Sequence, residues 1–401
     1  MLRFDYKARD IKTNQVVKGS LQAETEHAAG KLLIDRGFAP ISVQEVKEGG
    51  ILGKFLNRIS TKDKIVFTRQ FATLIGAGLP LAQSLNTVAE QTQNKALKAV
   101  VEDIIASVEG GKSLSESFGK HPEVFDKVYL ALIAAGEVSG TLDESLKRIA
   151  SQQEKDAAMM SKVRGAMIYP AIVLVVIGLV MAFMLFTVVP QVENLYKDMN
   201  QTLPLLTQIM VDFANFILHF WWLIIIVVGF VIFFARQYFQ TDSGIKFKDT
   251  FKLNVPIFKG LFRRLYMARF TRTAQTLLST GVAMLDTLQI SSDAVSNTIV
   301  SKSILNAADK VKGGKALSVA IKPEDYILPL VPQMVSIGEQ SGKIDEMLGK
   351  AAQVYEDEVD EQIRTISTMI EPILMVVLAI VAGGMIGAIL FPIYGLVNTV
   401  G

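Results

Sequence analysis

The stretch AAGEVSGTLDES, residues 134–145, occurs twice in this chain in closely related form. The second copy is SIGEQSGKIDEM, residues 336–347, which lies 202 residues further along. Both copies place a Gly-Glu pair, a Ser-Gly pair and an Asp-Glu pair in the same register. We call them the first joint and the second joint. A repeat at this spacing in 401 residues predicts two copies of one domain.

The duplication extends well beyond the joints. FTRQFATLIGAGLPLAQSL (67–85) pairs with FTRTAQTLLSTGVAMLDTL (270–288), GGKSLSESF (110–118) with GGKALSVAI (313–321), and MIYPAIVLVV (167–176) with MIEPILMVVL (369–378). The offset stays at 202 or 203 residues. Each unit is therefore predicted to be a domain that runs directly into a membrane span. The duplication is parallel, whereas many transporters are built from inverted repeats.

Within each unit the pattern is helical. Phe67, Phe71, Leu74 and Leu81 fall on one apolar stripe. The sequences SLSE (113–116) and TLDE (141–144) are typical of capping boxes, in which a Ser or Thr side chain bonds the N3 amide.

The glycines of the repeat indicate helix ends. Gly78 and Gly140, with their counterparts Gly281 and Gly342, fit positions that need a positive φ. Each joint then reads as a tight helix–loop–helix connection whose Asp-Glu pair lies at the positive end of the next helix. A second interpretation, compatible with the first, is an exposed acidic joint that also contacts a partner.

Three apolar runs are long enough to span a membrane. Residues 171–189, 217–235 and 373–397 carry no charge, and mean hydropathy over the chain is +0.35. At 1.5 Å per residue, 19 residues cover about 28 Å, close to the thickness of the hydrocarbon core. The sequence therefore predicts a protein with three transmembrane helices.

Basic residues predict the orientation of these spans. Residues 190–216 contain a single base, Lys197, whereas residues 236–272 contain nine. The positive-inside rule then places 1–170 and 236–372 in the cytosol, and 190–216 and the C-terminus outside. The start MLRFDYKARD lacks the apolar core of a signal peptide, which agrees with a cytosolic N-terminus. With a net charge of +2, we attribute the basic stretch to membrane topology rather than to nucleic-acid binding.

The sequence gives no indication of catalysis, of a cofactor or of a metal site. The chain has no cysteine, and its three histidines lie in different segments. VEGGKSL (108–114) resembles the end of a phosphate-binding loop, but Ala106 stands where its first glycine belongs. The acidic run YEDEVDEQ (355–362) is interpreted as a solvated helix face, with a cation site as the alternative. Glu371, at the edge of the third span, is expected to reach the lipid headgroups, with a special role as the alternative.

The predicted fold is mainly α: a polytopic membrane protein with two duplicated cytoplasmic helical bundles, three transmembrane helices and a small N-terminal α/β module. The predicted segments are the α/β module (1–48), a linker (49–60), the first bundle (61–168), the first span (169–189), an external segment (190–216), the second span (217–235), a basic connector (236–263), the second bundle (264–370), the third span (371–397) and an external tail (398–401).

The order of these parts resembles the inner-membrane platform proteins of type IV pilus and type II secretion machines, the PilC and GspF family. The resemblance covers nearly the whole chain. It rests on FDYKARD and KGSLQAETEHAAGKLLIDRGFAPISV near the start, FTRQFATLIGAGLPL, AAGEVSGTLDESLKRIA, LPLLTQ (203–208), VPIFKGLFRRLYMARFTRTAQTLLSTGVAMLDTL, GEQSGKIDEML and MIEPIL. Ala283 departs from the first copy, which has Pro80 at that position.

The resemblance implies a scaffold in the bacterial inner membrane rather than an enzyme. Its expected partners are a hexameric assembly ATPase, pilin or pseudopilin subunits, other inner-membrane assembly proteins, further copies of the chain and the lipid bilayer. Candidate partner contacts are the joints and two residues interpreted as basic helix starts: Arg69, Glu137, Gly140, Arg272, Glu339 and Gly342. The alternative for these residues is an internal Arg–Glu contact in each bundle. A transporter or channel subunit is the alternative function, although the span cores lack the ionisable groups of such proteins.

Overall fold

The computed structural model of the chain describes residues 2–10, 16–23, 26–35, 37–45, 58–198 and 205–400. The N-terminal module is a three-stranded antiparallel sheet with one helix. The central strand β1 (Leu2–Asp10) pairs with β2 (Val16–Ala23) on one side and with β3 (Phe38–Glu45) on the other. Helix α1 (Glu26–Asp35) precedes Gly37, whose φ is +83°. The predicted α/β module is confirmed.

The first bundle is built from helices that surround an aromatic core. Five rings lie in this core, all of them buried: Phe67, Phe71, Phe118, Phe125 and Tyr129. The centroids of Phe118 and Phe125 are 4.6 Å apart, which is a close edge-to-face contact. The helices are α2 (Thr61–Gly76), α3 (Leu81–Gln91), α4 (Lys95–Glu109), α5 (Leu114–Gly119), α6 (Lys127–Ser139) and α7 (Leu142–Phe183).

The second bundle repeats this order with a largely aliphatic core. Phe270 is buried in its centre, in the position that Phe67 holds in the first bundle. The helices are α11 (Lys259–Ser279), α12 (Met284–Ala294), α13 (Thr298–Lys312), α14 (Leu317–Ile321), α15 (Leu330–Ser341) and α16 (Ile344–Val400), and a further helix, α10 (Asp242–Asn254), precedes them.

Helices α7 and α16 each run without interruption from a bundle into an apolar span. They contain 42 and 57 residues, so they are about 63 Å and 85 Å long. Helix α7 continues through a π-helical turn (Met184–Val188) into α8 (Val189–Asp198), and it contains Pro170 without ending there. The second span lies in α9 (Leu205–Tyr238), which is kinked at Phe220.

The apolar parts of these three helices are long enough to cross a membrane, and they are hardly covered by the rest of the chain. Only 11%, 0% and 6% of their most apolar windows is buried. Because such surface is unstable in water, it is the surface expected to face lipid. The chain is a multi-pass membrane protein.

Several local predictions are wrong. Leu81 does not continue the stripe of Phe67, because α2 ends at Gly76 and Leu81 begins α3. Thr141 does not cap α7, since its hydroxyl bonds the Ser139 hydroxyl at 2.6 Å instead. Most of the linker 49–60 and part of the external segment 190–216 lie outside the described residues.

Candidate functional site

The first joint connects α6 to α7 and stabilises a third helix. Gly140 ends α6 with φ +73°, as predicted, and α7 then starts with two acids in its first turn. The Glu137 carboxylate accepts hydrogen bonds from the amides of Leu114 at 2.6 Å and Ser115 at 3.1 Å. These amides at the start of α5 have no acceptor within their own helix, and a carboxylate at this position also interacts favourably with the helix dipole. Glu137 therefore fixes α5 against α6.

The second joint repeats this arrangement. Gly342 ends α15 with φ +71°, and α16 starts at Ile344. The Glu339 carboxylate accepts from the Ser318 amide at 3.3 Å and from the Ser318 hydroxyl at 2.5 Å. In both bundles the glutamate of the joint thus binds the start of a short helix in its own domain. Whether either glutamate also contacts a partner stays a prediction.

The first glycine of each joint has a role that the sequence analysis missed. A Cβ on Gly136 would lie 2.5 Å from the Ser145 hydroxyl, and a Cβ on Gly338 would lie 2.7 Å from the Ile344 Cα. Both distances are too short for any side chain. These glycines allow two consecutive helices to touch across the joint. Their repetition at an offset of 202 residues was the available signal.

The two candidate arginines form a duplicated ion pair, but with partners that were not predicted. Arg69 makes a two-pronged contact with Glu154, and its Nε is 2.7 Å from one carboxylate oxygen. Arg272 Nε lies 2.7 Å from Glu356. Glu154 and Glu356 are themselves 202 residues apart, so the pair belongs to the repeat. The hydrogen bonds from Arg69 lower the pKa of Glu154 below its usual value.

The interpretation of Arg69 and Arg272 as basic helix starts is therefore wrong. Arg69 lies in the middle of α2 (Thr61–Gly76), and Arg272 lies in the last third of α11 (Lys259–Ser279). The alternative, an internal Arg–Glu contact in each bundle, is confirmed in kind, since the glutamates come from α7 and α16 rather than from the joints.

The acidic run 355–362 is not a free solvated face. The side chain of Glu356 is only 16% exposed and lies between Arg272 and Lys155, the latter at 3.8 Å. Glu358 pairs with Arg264 at 2.5 Å. Within the described part of the chain, no group of three His, Asp or Glu side chains is arranged to hold a metal ion.

A cavity of about 500 Å³, lined by both apolar and polar side chains, lies between the two bundles. Helices α6 and α7 line one side of the cavity, and Gln152 and Asp156 of α7 face it. Helices α11 and α12 line the other side, where Arg269 of α11 faces the cavity. Burial raises the pKa of Asp156 to about 6, and the Arg269 guanidinium opposes this only in part. The buried Gln152 Oε1 and Arg269 Nε have no hydrogen-bond partner among the described residues. The contact between the bundles is thus incompletely satisfied around this cavity, whereas further along α7 the buried Met159 packs into the apolar core of the second bundle.

Direct contacts beside the cavity hold the bundles together. Gln152 donates to the Thr273 hydroxyl at 2.9 Å, and Arg148 donates to the Ser279 hydroxyl at 2.7 Å. Lys127 pairs with Asp293 at 2.7 Å on the exposed rim. Most of these contacts are hydrogen bonds to a neutral side chain or ion pairs between exposed side chains. Each such contact contributes about 1 kcal/mol or less to stability. The arrangement suits a contact between two bodies better than it suits bond-making chemistry.

The chain is similar to proteins of one known family. A model of the family described as "Type II secretion system (T2SS), protein F" matches it twice, over residues 67–190 and 270–392. These two matches coincide with the two copies of the repeat and contain both joints.

Curated relatives match over nearly the whole length. The chain is 35% identical to the type IV pilus assembly protein PilC of Thermus thermophilus, over 99% of this chain and 98% of that protein. It is 37% identical to the type IV pilus assembly protein PilC of Myxococcus xanthus, over 97% and 94%. It is 31% identical to the type II secretion system protein F of Vibrio cholerae, over 99% of each.

Proposed function

This chain belongs to the type II secretion system protein F family, and we propose that it is the inner-membrane platform of a type IV pilus or type II secretion machine. In this role it couples a cytoplasmic assembly ATPase to the insertion of pilin or pseudopilin subunits into a growing fibre. The observation that supports the coupling is the continuity of α7 and α16, each of which joins a bundle directly to a span.

The stiffness of α7 and α16 is what would carry a movement of a bundle into the membrane. A bundle joined to its span by an unbroken helix passes a rotation or a tilt directly into the membrane, whereas a flexible linker would absorb it. The protein itself needs no nucleotide site in this mechanism, because the ATPase supplies the work.

The orientation that we propose puts both bundles on the side of the motor. Nine bases follow the second span, whereas a single base lies between the first two spans, which favours cytosolic bundles and an external C-terminus. Because the chain has no cysteine, single cysteines can test this. A cysteine at Val138 should be labelled by an impermeant maleimide only after the inner membrane is opened. Labelling in intact spheroplasts would contradict the orientation.

The exposed tips of the joints are the surface that we propose for motor docking. Gly140 and Gly342 lie at these tips, and the neighbouring Val138 side chain is 92% exposed. Val138→Glu should reduce binding of the purified ATPase to the full chain in nanodiscs. Val319→Glu is the matched control, because Val319 is 60% exposed but lies outside the joints. Equal binding by both variants would move the docking surface elsewhere.

A clean deletion of the gene tests the overall role. We expect surface fibres, secretion of specific proteins, or both to disappear in electron micrographs and secretome profiles, and to return with the wild-type gene. Loss of fibres assigns the chain to a pilus, and loss of export alone assigns it to a secretion system. An unchanged phenotype under conditions where the machine is expressed would contradict the proposal.

A further inference from the structure

Helix α10 (Asp242–Asn254) follows the second span and is attached to the second bundle by one face. Asp249 and Leu253 are buried on this face. The Asp249 carboxylate accepts from both the amide and the hydroxyl of Thr298 at 2.8 Å. These bonds to the start of α13 fix the rotation of α10 about its own axis.

The opposite face of α10 exposes two aromatic rings. The side chains of Phe247 and Phe251 are 56% and 60% exposed, and their ring centroids lie 6.3 Å apart. At about 100° per residue, this pair points roughly 160° away from the buried pair Asp249 and Leu253. A paired aromatic surface of this kind is costly in water, so a partner is expected to cover it.

The turn between the second span and α10 holds this aromatic face close to the end of the span. Thr241 caps α10 by accepting from the Gly244 amide at 3.2 Å, and its hydroxyl donates to the Tyr238 carbonyl at 2.7 Å. A Cβ on Gly244 would lie 1.9 Å from that same carbonyl oxygen. The first turn of α10 therefore touches the last residue of the span helix.

Charge favours a lipid partner over other apolar partners. By helical geometry Lys248 lies about 80° from the centre of the aromatic pair and Lys246 about 120° from it on the other side, and both are exposed. Neither forms an ion pair within the described part of the chain. Exposed bases beside apolar side chains on a helix at the membrane surface are typical of contact with anionic headgroups.

We propose that α10 is an interfacial helix that lies in the membrane surface. Phe247 and Phe251 insert into the boundary between headgroups and acyl chains, and Lys246 and Lys248 bind anionic phospholipid headgroups. The second bundle is then held against the bilayer by α10 as well as by its spans. This inference rests on the chain being a membrane protein and not on its role as a platform, so the two can fail separately.

Spin labels test the depth of the aromatic face. Single cysteines replace Phe247 or Phe251 in the full chain, which has no cysteine of its own, and each labelled protein is placed in nanodiscs containing phosphatidylglycerol. We expect both labels to be accessible to oxygen and protected from a nickel chelate. A label at Val319 in the second bundle should show the opposite pattern. Nickel access at 247 and 251 equal to that at 319 would overturn the proposal, as would protection from both reagents, which indicates burial by protein.

A second measurement tests the lysines. In the anionic nanodiscs, Lys246→Glu with Lys248→Glu should raise nickel access at position 251 by about twofold or more, whereas the double arginine variant should leave it unchanged. In discs of zwitterionic lipid alone the difference between the variants should shrink. Equal nickel access for all variants in both lipids would overturn the assignment of an anionic headgroup.

Discussion

Each bundle contains one of the two joints, but the contacts that stabilise the joint differ between the bundles. In the first bundle Ser113 and Glu137 together satisfy the start of α5, because Ser113 accepts from the Glu116 amide. In the second bundle Ala316 replaces the serine, so Glu339 is the one side chain that accepts from the start of α14 among the described residues. Equal positions in the repeat therefore carry unequal energetic weight.

The two copies of the ion pair also differ, because the copy in the second bundle is the more buried one. Arg272 and Glu356 are 17% and 16% exposed, whereas Arg69 and Glu154 are 43% and 42% exposed. Helix α11 also buries many more side chains than α2 does, because it lies between its own bundle and α7. The comparison indicates that the second bundle is the more firmly held body and that single changes there cost more.

The largest difference is expected at the first glycine of each joint. Gly338→Ala should lower the free energy of unfolding by about 3 kcal/mol, because the new Cβ meets backbone. Gly136→Ala should cost about half as much, since its nearest contact is the Ser145 side chain, and Ser145→Gly should restore part of the loss. Thermal melts of the full chain in detergent measure both. Gly165→Ala is the control, because that site has open space around it.

The ion pairs should give the next largest difference. Glu356→Gln is expected to cost about 2 kcal/mol, because it leaves Arg272 without its charge partner in a mostly buried position. Glu154→Gln should cost less than about 1 kcal/mol, as is usual for an exposed pair. The same melts apply, with the salt concentration varied. Equal costs for the two variants would show that the difference in exposure has no energetic consequence.

The stability costs of replacing the two joint glutamates, Glu137 and Glu339, should differ by less. Glu339→Gln is expected to cost about 1–2 kcal/mol, and Glu137→Gln somewhat under 1 kcal/mol because Ser113 still caps α5. Adding Ser113→Ala to Glu137→Gln should bring its cost up to that of the Glu339 variant. If the double variant is no worse than the single one, the two side chains do not share this role.

A change of the opposite sign, a stabilisation, is expected at the cavity between the bundles. The pKa of Asp156 is raised to about 6 in the folded chain by burial, so its ionisation opposes folding. The cost is absent below the unfolded pKa near 4 and complete above about pH 6. Asp156→Asn should therefore raise the melting temperature at pH 7 by an amount corresponding to at most about 3 kcal/mol, and by almost nothing at pH 4.

The groups around Asp156 define what could contradict this prediction. Asp126 and Glu356 act against its ionisation, whereas Arg269 and Arg272 favour it. A variant that is less stable than wild type at pH 7 would mean that the electrostatic attraction between the Asp156 carboxylate and these guanidinium groups outweighs the cost of burial. Asp293→Asn on the exposed rim of the cavity is the control, because it also removes a carboxylate from the lining of the cavity but breaks an exposed pair with Lys127.

Most of the fold could be predicted from the sequence because its strongest signals are local. Uncharged runs of 19 residues or more, and glycines such as Gly140 and Gly342 at helix ends, depend little on distant parts of the chain. The internal repeat supplied the domain organisation. The Thr141 capping box failed because a competing hydroxyl, Ser139, lies two residues away, and a motif of four letters does not include it.

The contacts of the candidate site were less predictable because they join distant residues. Arg69 pairs with Glu154, 85 residues away, and no local pattern distinguishes that carboxylate from Glu137. The repeat contained the answer, since Glu154 and Glu356 recur at the same offset as Arg69 and Arg272 within one residue. The cavity could not be predicted, because it depends on how α7 lies against α11 and not on either helix alone.

The central claim is that stiff helices carry work from the bundles to the spans. Replacing Thr365 and Thr368, which are exposed on α16 just before the third span, with two glycines should make that helix flexible at little cost to the bundle. Replacing both with alanine keeps it stiff. At equal amounts of membrane-inserted protein, we expect fibres or secreted proteins to fall at least about tenfold with glycine and to stay at wild-type levels with alanine. Wild-type assembly by the glycine variant would contradict the account.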